Sequence, residues 1–186
     1  SDEIVISLVG RINSWKGQQL LLKAFEKLAS QYADIKLVYI GSAPPNQEFF
    51  EIDLKSKIEK YGLGNRVVII PFQQSIWRFW HSIDIAVVPS TEPEPFGMVA
   101  IEAMISKKPV VAAGHGGLTE IVLPDVTGYL FKPNDLDDLI KHLQILILKR
   151  DLRLEMGVQG HKRVKKHFTL KHHENRFVEV FDELIS

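Results

Sequence analysis

Cysteine is missing altogether from the 186 residues, which removes disulfides and thiolate metal sites and suits a reducing compartment. No charge of one sign dominates. Lys plus Arg and Asp plus Glu stand at 23 each, so bulk charge gives no argument for a nucleic-acid partner. Long apolar runs are lacking too: the most continuous are about six residues, far below the roughly 20 that a membrane span requires. No signal peptide, internal repeat or low-complexity segment is visible. Neither a paired-Asp motif nor two histidines at helical spacing offers a divalent-metal site, so no metal and no cofactor is expected. The chain also has no initiator methionine and opens "SDEIVISLVG", with a strand starting almost at once. It reads as a piece of a longer protein.

What is present is ordinarily globular: 45% hydrophobic and 25% charged residues, enough for one domain with a sizeable core. Ile4–Val9 is a β-rich run ending at Gly10, followed by "QQLLLKAFEKLASQYA" with Leu21, Phe25, Leu28 and Tyr32 at helical spacing. The alternation repeats. "IKLVYIG", "RVVIIPF", "IDIAVVPS" and "KPVVAAG" predict buried strands, and "GYLF" a short edge strand. Helices are predicted in "NQEFFEIDLKSKIEKYG", around Ile76–Ser82, after Gly97, near Leu118–Val122, and along Leu136–Ile147. Two more are expected at roughly 152–167 and 170–185. Alternating strands and helices imply an α/β doubly wound parallel sheet, Rossmann-like, whose ligands sit beyond the C-terminal ends of the strands. The loops at Gly10–Gly17, Gly41–Pro45, Pro71–Gln74, Pro89–Gly97 and Gly114–Gly117 should therefore share one rim.

On that rim "STEPEPFGMVAIEAM" places Glu94 between two prolines and Glu102 inside an apolar helix. The residue before proline is kept out of the α region, so Glu94 sits on an extended turn. The amides of Phe96, Gly97 and Met98 would open the helix and form an anion site suited to phosphate or diphosphate. A carboxylate is a poor partner for phosphate but a good double acceptor for vicinal hydroxyls. Alone, each acid reads as an ordinary surface charge. Together they describe a phosphate flanked by two polyols, as in a nucleotide sugar. The loop "GRINSWKG" adds Arg11 and Lys16 between Gly10 and Gly17, two cations able to neutralise a diphosphate leaving group.

The stretches "VGRINSWKGQQLLLKAF", "STEPEPFGMVAIEAMISKKPVVAAGHGGLTEIV" and "TGYLFKPND" resemble the C-terminal domain of retaining glycosyltransferases of the glycogen-synthase and mannosyltransferase superfamily. These are two-domain enzymes of the GT-B architecture. The resemblance implies that residues 1–186 are the C-terminal donor-binding domain, with the final helix, about 170–185, packing toward the other domain. It implies that Glu94 contacts donor-sugar hydroxyls, Glu102 the nucleotide ribose, and Arg11 and Lys16 the diphosphate. Gly10 and the backbone of Phe96, Gly97, Met98 and Val99 complete the grip, and the base is held by the backbone at Pro71 and Phe72. Glu94, Arg11 and Lys16 are thus the expected catalytic set. The implied reaction transfers a hexosyl or N-acetylhexosaminyl unit, from a donor such as a UDP-sugar, to a glycan or lipid-linked acceptor bound by the N-terminal domain. This piece alone should bind donor and transfer nothing. A cytoplasmic place is expected by analogy, in polysaccharide or lipopolysaccharide assembly.

The sequence departs from that pattern at "GSAPPNQ", where relatives often have a glycine-rich turn, and at His115, which reads as a surface-turn histidine. Glu120, which opens the next helix, reads as capping or orienting that loop. The aromatics Trp77, Phe79 and Trp80 read as packing for a short helix. Residues 161–173, "HKRVKKHFTLKHH", read as a solvated basic helix end, with peripheral contact on the inner face of the plasma membrane as the alternative. Four other readings stay open: an epimerase or phosphorylase of the same architecture, a dinucleotide-binding oxidoreductase built on "GHGGLT", and a non-catalytic nucleotide-binding module.

Overall fold

The computed structural model describes residues 3–168. Six strands form one all-parallel sheet: β1 (Ile4–Val9), β2 (Ile35–Ile40), β3 (Val67–Ile70), β4 (Ile85–Val88), β5 (Val110–Ala113) and β6 (Gly128–Phe131). Their order is β3-β2-β1-β4-β5-β6, the doubly wound arrangement, with the winding reversing between β1 and β4. "GYLF" is an edge strand, as its shortness suggests. Both β4 and β5 are buried along their whole length, while β3 at the other edge leaves Val68 46% exposed.

Among the described residues seven helices cover the two faces: α1 (Gln18–Ala29), α2 (Phe49–Lys60), α3 (Trp77–Trp80), α4 (Met98–Ile105), α5 (Leu118–Ile121), α6 (Leu136–Leu148) and α7 (Arg150–His167). Alternation along each strand divides the core. Ile85 and Val87 of β4, with Val111 and Ala113 of β5, face one cluster with Leu21, Phe25, Leu54, Ile58, Leu139 and Leu143, the buried sides of α1, α2 and α6. Ala86, Val88, Val110 and Ala112 face the other, with Trp80, Ala100, Met104, Leu118 and Ile121 from α3, α4 and α5. The long α7 joins the layers, placing Met156 in the first cluster and Val164 in the second.

Two boundaries and one burial differ from the pattern-based reading. Helix α1 ends at Ala29, so Tyr32 packs on the core from the turn beyond it, its amide donating to the Leu28 carbonyl at 2.9 Å. Helix α7 begins at Arg150 rather than Leu152, because Arg153 donates to the carbonyls of Leu146 (2.5 Å) and Ile147 (3.0 Å) and closes α6 against α7. Trp80 is buried as expected and Phe79 half-buried, but Trp77 stands 54% exposed. The helix expected at 170–185, and the end of the basic stretch, lie outside the described residues. Among the described residues no helix is long and apolar enough to cross a membrane.

The close approach of α7 to the end of α4 depends on Gly157, where an added Cβ would stand 2.1 Å from the carbonyl oxygen of Lys107 in the turn just after α4. Gly157→Ala must push the helices apart. It should cost about 1–3 kcal/mol and lower the melting temperature by several degrees, whereas Val158→Ala on the exposed side of α7 should change it little. Thermal denaturation of the two variants checks this.

Candidate functional site

Strands β1 and β4 lie side by side, so the loops that leave their C-terminal ends meet although they are far apart in sequence. The β1 loop is shaped by Asn13, whose Oδ1 accepts from the amides of Trp15 (3.2 Å) and Lys16 (3.0 Å). It is anchored from below by Gln18, which is buried and donates its side-chain amide to the Arg11 carbonyl at 2.7 Å. The two loops are tied where Thr91 of the β4 loop donates through its amide to the Trp15 carbonyl at 2.7 Å.

Lys16 and Glu94 meet across this junction. The ammonium lies 2.5 Å from Glu94 Oε1 and 4.3 Å from the centre of the Trp15 ring. Ser90, fully buried two residues beyond β4, donates its hydroxyl to the same oxygen at 2.6 Å. Glu94 is only 5% exposed, and two donors on Oε1 offset the cost of taking its charge out of water. Its Oε2 has no partner among the described residues. Both side chains line a cavity of about 230 Å³, together with Phe96, Gly97, Met98 and Val99.

Those last four residues open α4. Gly97 is the N-cap, left-handed at φ 73°, and no side chain caps the helix. The first amide with an acceptor is that of Ala100, which donates to the Gly97 carbonyl at 2.9 Å. The amides of Phe96, Gly97, Met98 and Val99 donate to no described group. They form a run of four open donors at a helix N-terminus.

A second, larger cavity of about 590 Å³ adjoins the first at Val9 and is lined by Gly10, Arg11, Gly41–Pro45, Phe72 and Glu102. Arg11 is exposed and Glu102 half-buried; they share this cavity without an ion pair to each other or to any described residue. Burial raises the Glu102 carboxyl above the ordinary range. The proline-containing turn at Ala43–Pro45 is part of the wall.

Two expected positions fall differently. Pro71 is exposed and does not line the cavity, and its carbonyl accepts from the Gln73 side chain at 2.9 Å. The Phe72 amide is already committed to Ser42 Oγ at 2.9 Å, because the loops after β2 and β3 are neighbours. His115 is not a free surface histidine: it is half-buried, and its Nε2 lies 2.9 Å from the Ser90 carbonyl. The carboxylate of Glu120 is exposed and caps nothing. The "GHGG" turn is spent on the β4 loop, where the Gly117 amide donates to the Glu94 carbonyl at 2.8 Å, which removes the ground for a dinucleotide fingerprint there.

A profile described as glycosyl transferases group 1 matches residues 1–163. The chain belongs to that family. A lipopolysaccharide 1,2-N-acetylglucosaminetransferase of Salmonella typhimurium is 34% identical over 147 residues, covering 76% of this chain and 39% of that protein. The capsular polysaccharide biosynthesis glycosyltransferase CapM of Staphylococcus aureus is 30% identical over 169 residues, covering 91% and 43%. The chain thus spans less than half the length of these curated relatives. Among solved structures, Anabaena Alr3699/HepE in complex with UDP and glucose superposes with a TM-score of 0.89 at 27% identity, over 97% of this chain and 48% of that one. The C-terminal domain of the group 1 protein LpcC of Francisella tularensis gives 0.82 at 31% identity, over 90% and 87%. The fold of this chain is therefore that of one domain of a GT-B glycosyltransferase.

Ser90, Asn13, Trp15 and Ser42 hold the site together and were not among the expected residues. Ser90 alone left a readable signal, as a polar residue just after a fully buried strand and four residues before Glu94.

Removing Lys16 leaves Glu94 buried with Ser90 as its remaining donor. Lys16→Met should destabilise the fold by about 2 kcal/mol, while Lys27→Met, whose pair with Asp137 is exposed, should stay within about 0.5 kcal/mol of the parent. Urea denaturation of both variants gives the comparison.

Proposed function

We propose that this domain binds the nucleotide-sugar donor of a glycosyltransferase. The observation that carries the reading is the run of four open amides, Phe96–Val99, with Glu94 in the cavity on one side and Glu102 in the cavity on the other. The diphosphate takes the amides, Arg11 and Lys16. The nucleoside takes the larger cavity, where Glu102 accepts from the ribose hydroxyls. The sugar takes the smaller one, where Oε2 of Glu94 is open to its hydroxyls. Phe72 offers its ring and carbonyl to the base, since its amide is spent on Ser42. The UDP bound by Alr3699/HepE supports a UDP-sugar as the donor.

In the whole protein a hexosyl or N-acetylhexosaminyl unit passes to a glycan or lipid-linked acceptor with retention at C1. The bond from C1 to the diphosphate breaks, the acceptor oxygen bonds C1 from the same face, and its proton goes to the departing phosphate. Arg11, Lys16 and the helix amides stabilise the charge that builds on the leaving group. No group of three or more His, Asp or Glu side chains among the described residues is arranged to hold a metal. The exposed Phe72, Phe96 and Met98 mark the rim over which the acceptor-binding half closes. A cytoplasmic setting fits this chemistry. Exposed Lys162, Lys165 and Lys166 on α7 offer a peripheral contact with anionic lipid on the inner face of the plasma membrane.

Calorimetric titration of the 186-residue chain with UDP-, GDP- and ADP-linked sugars tests the reading. UDP-sugars should bind, EDTA should leave the affinity unchanged, and no transfer to an added acceptor should occur without the rest of the protein. Indifference to all three nucleotides would remove the proposal.

Glu102 gives a second test. Burial makes the folded state hold its proton more tightly than the unfolded chain, so its contribution to stability falls as pH rises from the ordinary carboxylate range through the raised value. Glu102→Gln should therefore stabilise the unliganded fold at pH 7, by less than about 1 kcal/mol because the group is half exposed, with the gain vanishing in acid. The same change should weaken UDP binding about tenfold through loss of a charged acceptor. Melting curves at two pH values and titration with UDP read the two opposite effects.

A further inference from the structure

The turn after β5 is built against the turn that carries Glu94. Three of its contacts there bear on Glu94 and Ser90. The Gly117 amide donates to the Glu94 carbonyl at 2.8 Å. Gly116, left-handed at φ 58°, lies so close that an added Cβ would stand 2.5 Å from the same carbonyl oxygen and 2.8 Å from the Glu94 nitrogen. The third point is the side chain of His115, whose Nε2 is 2.9 Å from the Ser90 carbonyl. A carbonyl oxygen has no hydrogen to give, so Nε2 carries the proton and donates.

Ser90 is where this contact matters. Its backbone carbonyl is held by His115, and its hydroxyl holds Glu94 Oε1 at 2.6 Å. The residue is fully buried, and the short bridge His115–Ser90–Glu94 runs through one residue with little room to turn. Lys16 holds the same Oε1 from the β1 loop. Both side-chain donors therefore engage one carboxylate oxygen, and the orientation they fix decides where the free Oε2 points. Of these three contacts made by the β5 turn, only the histidine is a side chain that can be exchanged without rebuilding the backbone.

We infer that His115 is a positioning residue: by holding the Ser90 carbonyl it aims the free oxygen of Glu94 into the smaller cavity, and so sets how strongly the domain grips the sugar portion of its donor. This rests on the donor reading above and goes beyond it in dividing the grip. The nucleoside diphosphate is bound through the α4 amides, Arg11, Lys16 and Glu102, none of which hydrogen-bonds His115, whereas the sugar increment passes through the free oxygen of Glu94.

The test compares UDP with UDP-glucose on the 186-residue chain. His115→Phe keeps the ring volume and removes the donor; His115→Gln keeps a donor of similar reach. The phenylalanine variant should bind UDP within about twofold of the parent and lose about fivefold in the ratio of UDP-glucose to UDP affinity, and the glutamine variant should recover most of that ratio. Equal losses for both probes would show a merely structural histidine and overturn the inference, as would an unchanged ratio. Failure of the parent chain to bind UDP overturns the donor reading and the inference with it, a result distinct from a parent that binds and a ratio that does not move. A measurement without any variant covers a phenylalanine form that does not fold. Nitrogen NMR of the parent should show His115 as the Nε2–H tautomer, and the Nδ1–H tautomer would overturn the proposal.

Discussion

Lys16 and Glu94 are 78 residues apart in the chain and share one short contact, and the rest of the site depends on it. The contact exists because β1 and β4 are neighbours although two strands separate them in sequence. At that reversal of winding the loops of adjacent strands leave in company with helices on opposite faces, and a crevice opens between them. Both cavities lie along it and meet at Val9, the last residue of β1. A buried ion pair is weak evidence for stability, since desolvation consumes most of the attraction. Its value here is geometric. It fixes the β1 loop against the β4 loop at the place where a ligand bridging the two cavities must pass.

The two acids of the site live in opposite conditions, and this difference gives them different tasks. Glu94 is nearly sealed, with two donors on one oxygen. Its direction is set before any ligand arrives, so little ordering remains to be done on binding. Glu102 is half-buried with no partner, and its ionised form is disfavoured until something offers it hydrogen-bond donors. Sugar hydroxyls are such donors; a phosphate is not. The open amides of α4 lie between the acids, so that anion and hydroxyl preferences alternate along the crevice. That order of preferences, more than the presence of any one group, is what a sugar joined to a nucleoside through a diphosphate would match.

The strand and helix alternation was legible because the periodicities are clean, and the parallel topology followed from it. The Glu94–Glu102 spacing and the two cations of "GRINSWKG" could be read because few charged residues stand on a rim otherwise rich in Gly, Pro and uncharged polar residues. What could not be read was pairing. Arg11 and Lys16 look alike in sequence, yet Lys16 is drawn onto Glu94 while Arg11 stays open in the other cavity, a difference made by the Asn13 turn and the Trp15 ring. His115 looked like a turn residue because nothing local reveals that the Ser90 carbonyl, on another strand's loop, lies within reach. The commitment of the Phe72 amide was hidden for the same reason: it is taken by Ser42 from a loop that only the sheet order brings alongside. Local pattern names the elements, but side-chain partners at a sheet rim are decided between loops that never meet in sequence.

The helix starts show how the fold separates support from function. Helix α6 begins with Asp135, whose carboxylate accepts from the Asp138 amide at 3.1 Å, so its first turn is satisfied by its own sequence. Helix α4 begins at the same edge of the sheet with glycine and no side-chain cap, which forgoes roughly a few tenths of a kcal/mol that a serine or aspartate would supply. A carboxylate at that cap would fill the amides and repel an incoming phosphate. The loss is tolerable because α4 is held elsewhere: Ala100, Ala103 and Met104 are fully buried between the sheet and α7. The apolar side of the helix fixes its position, and its N-terminus is thereby free to stay unsatisfied until an anion occupies it. A site of this kind can be carried only by a helix whose packing is complete without it, and that is why the close α4–α7 crossing, remote from the crevice, belongs to the same design.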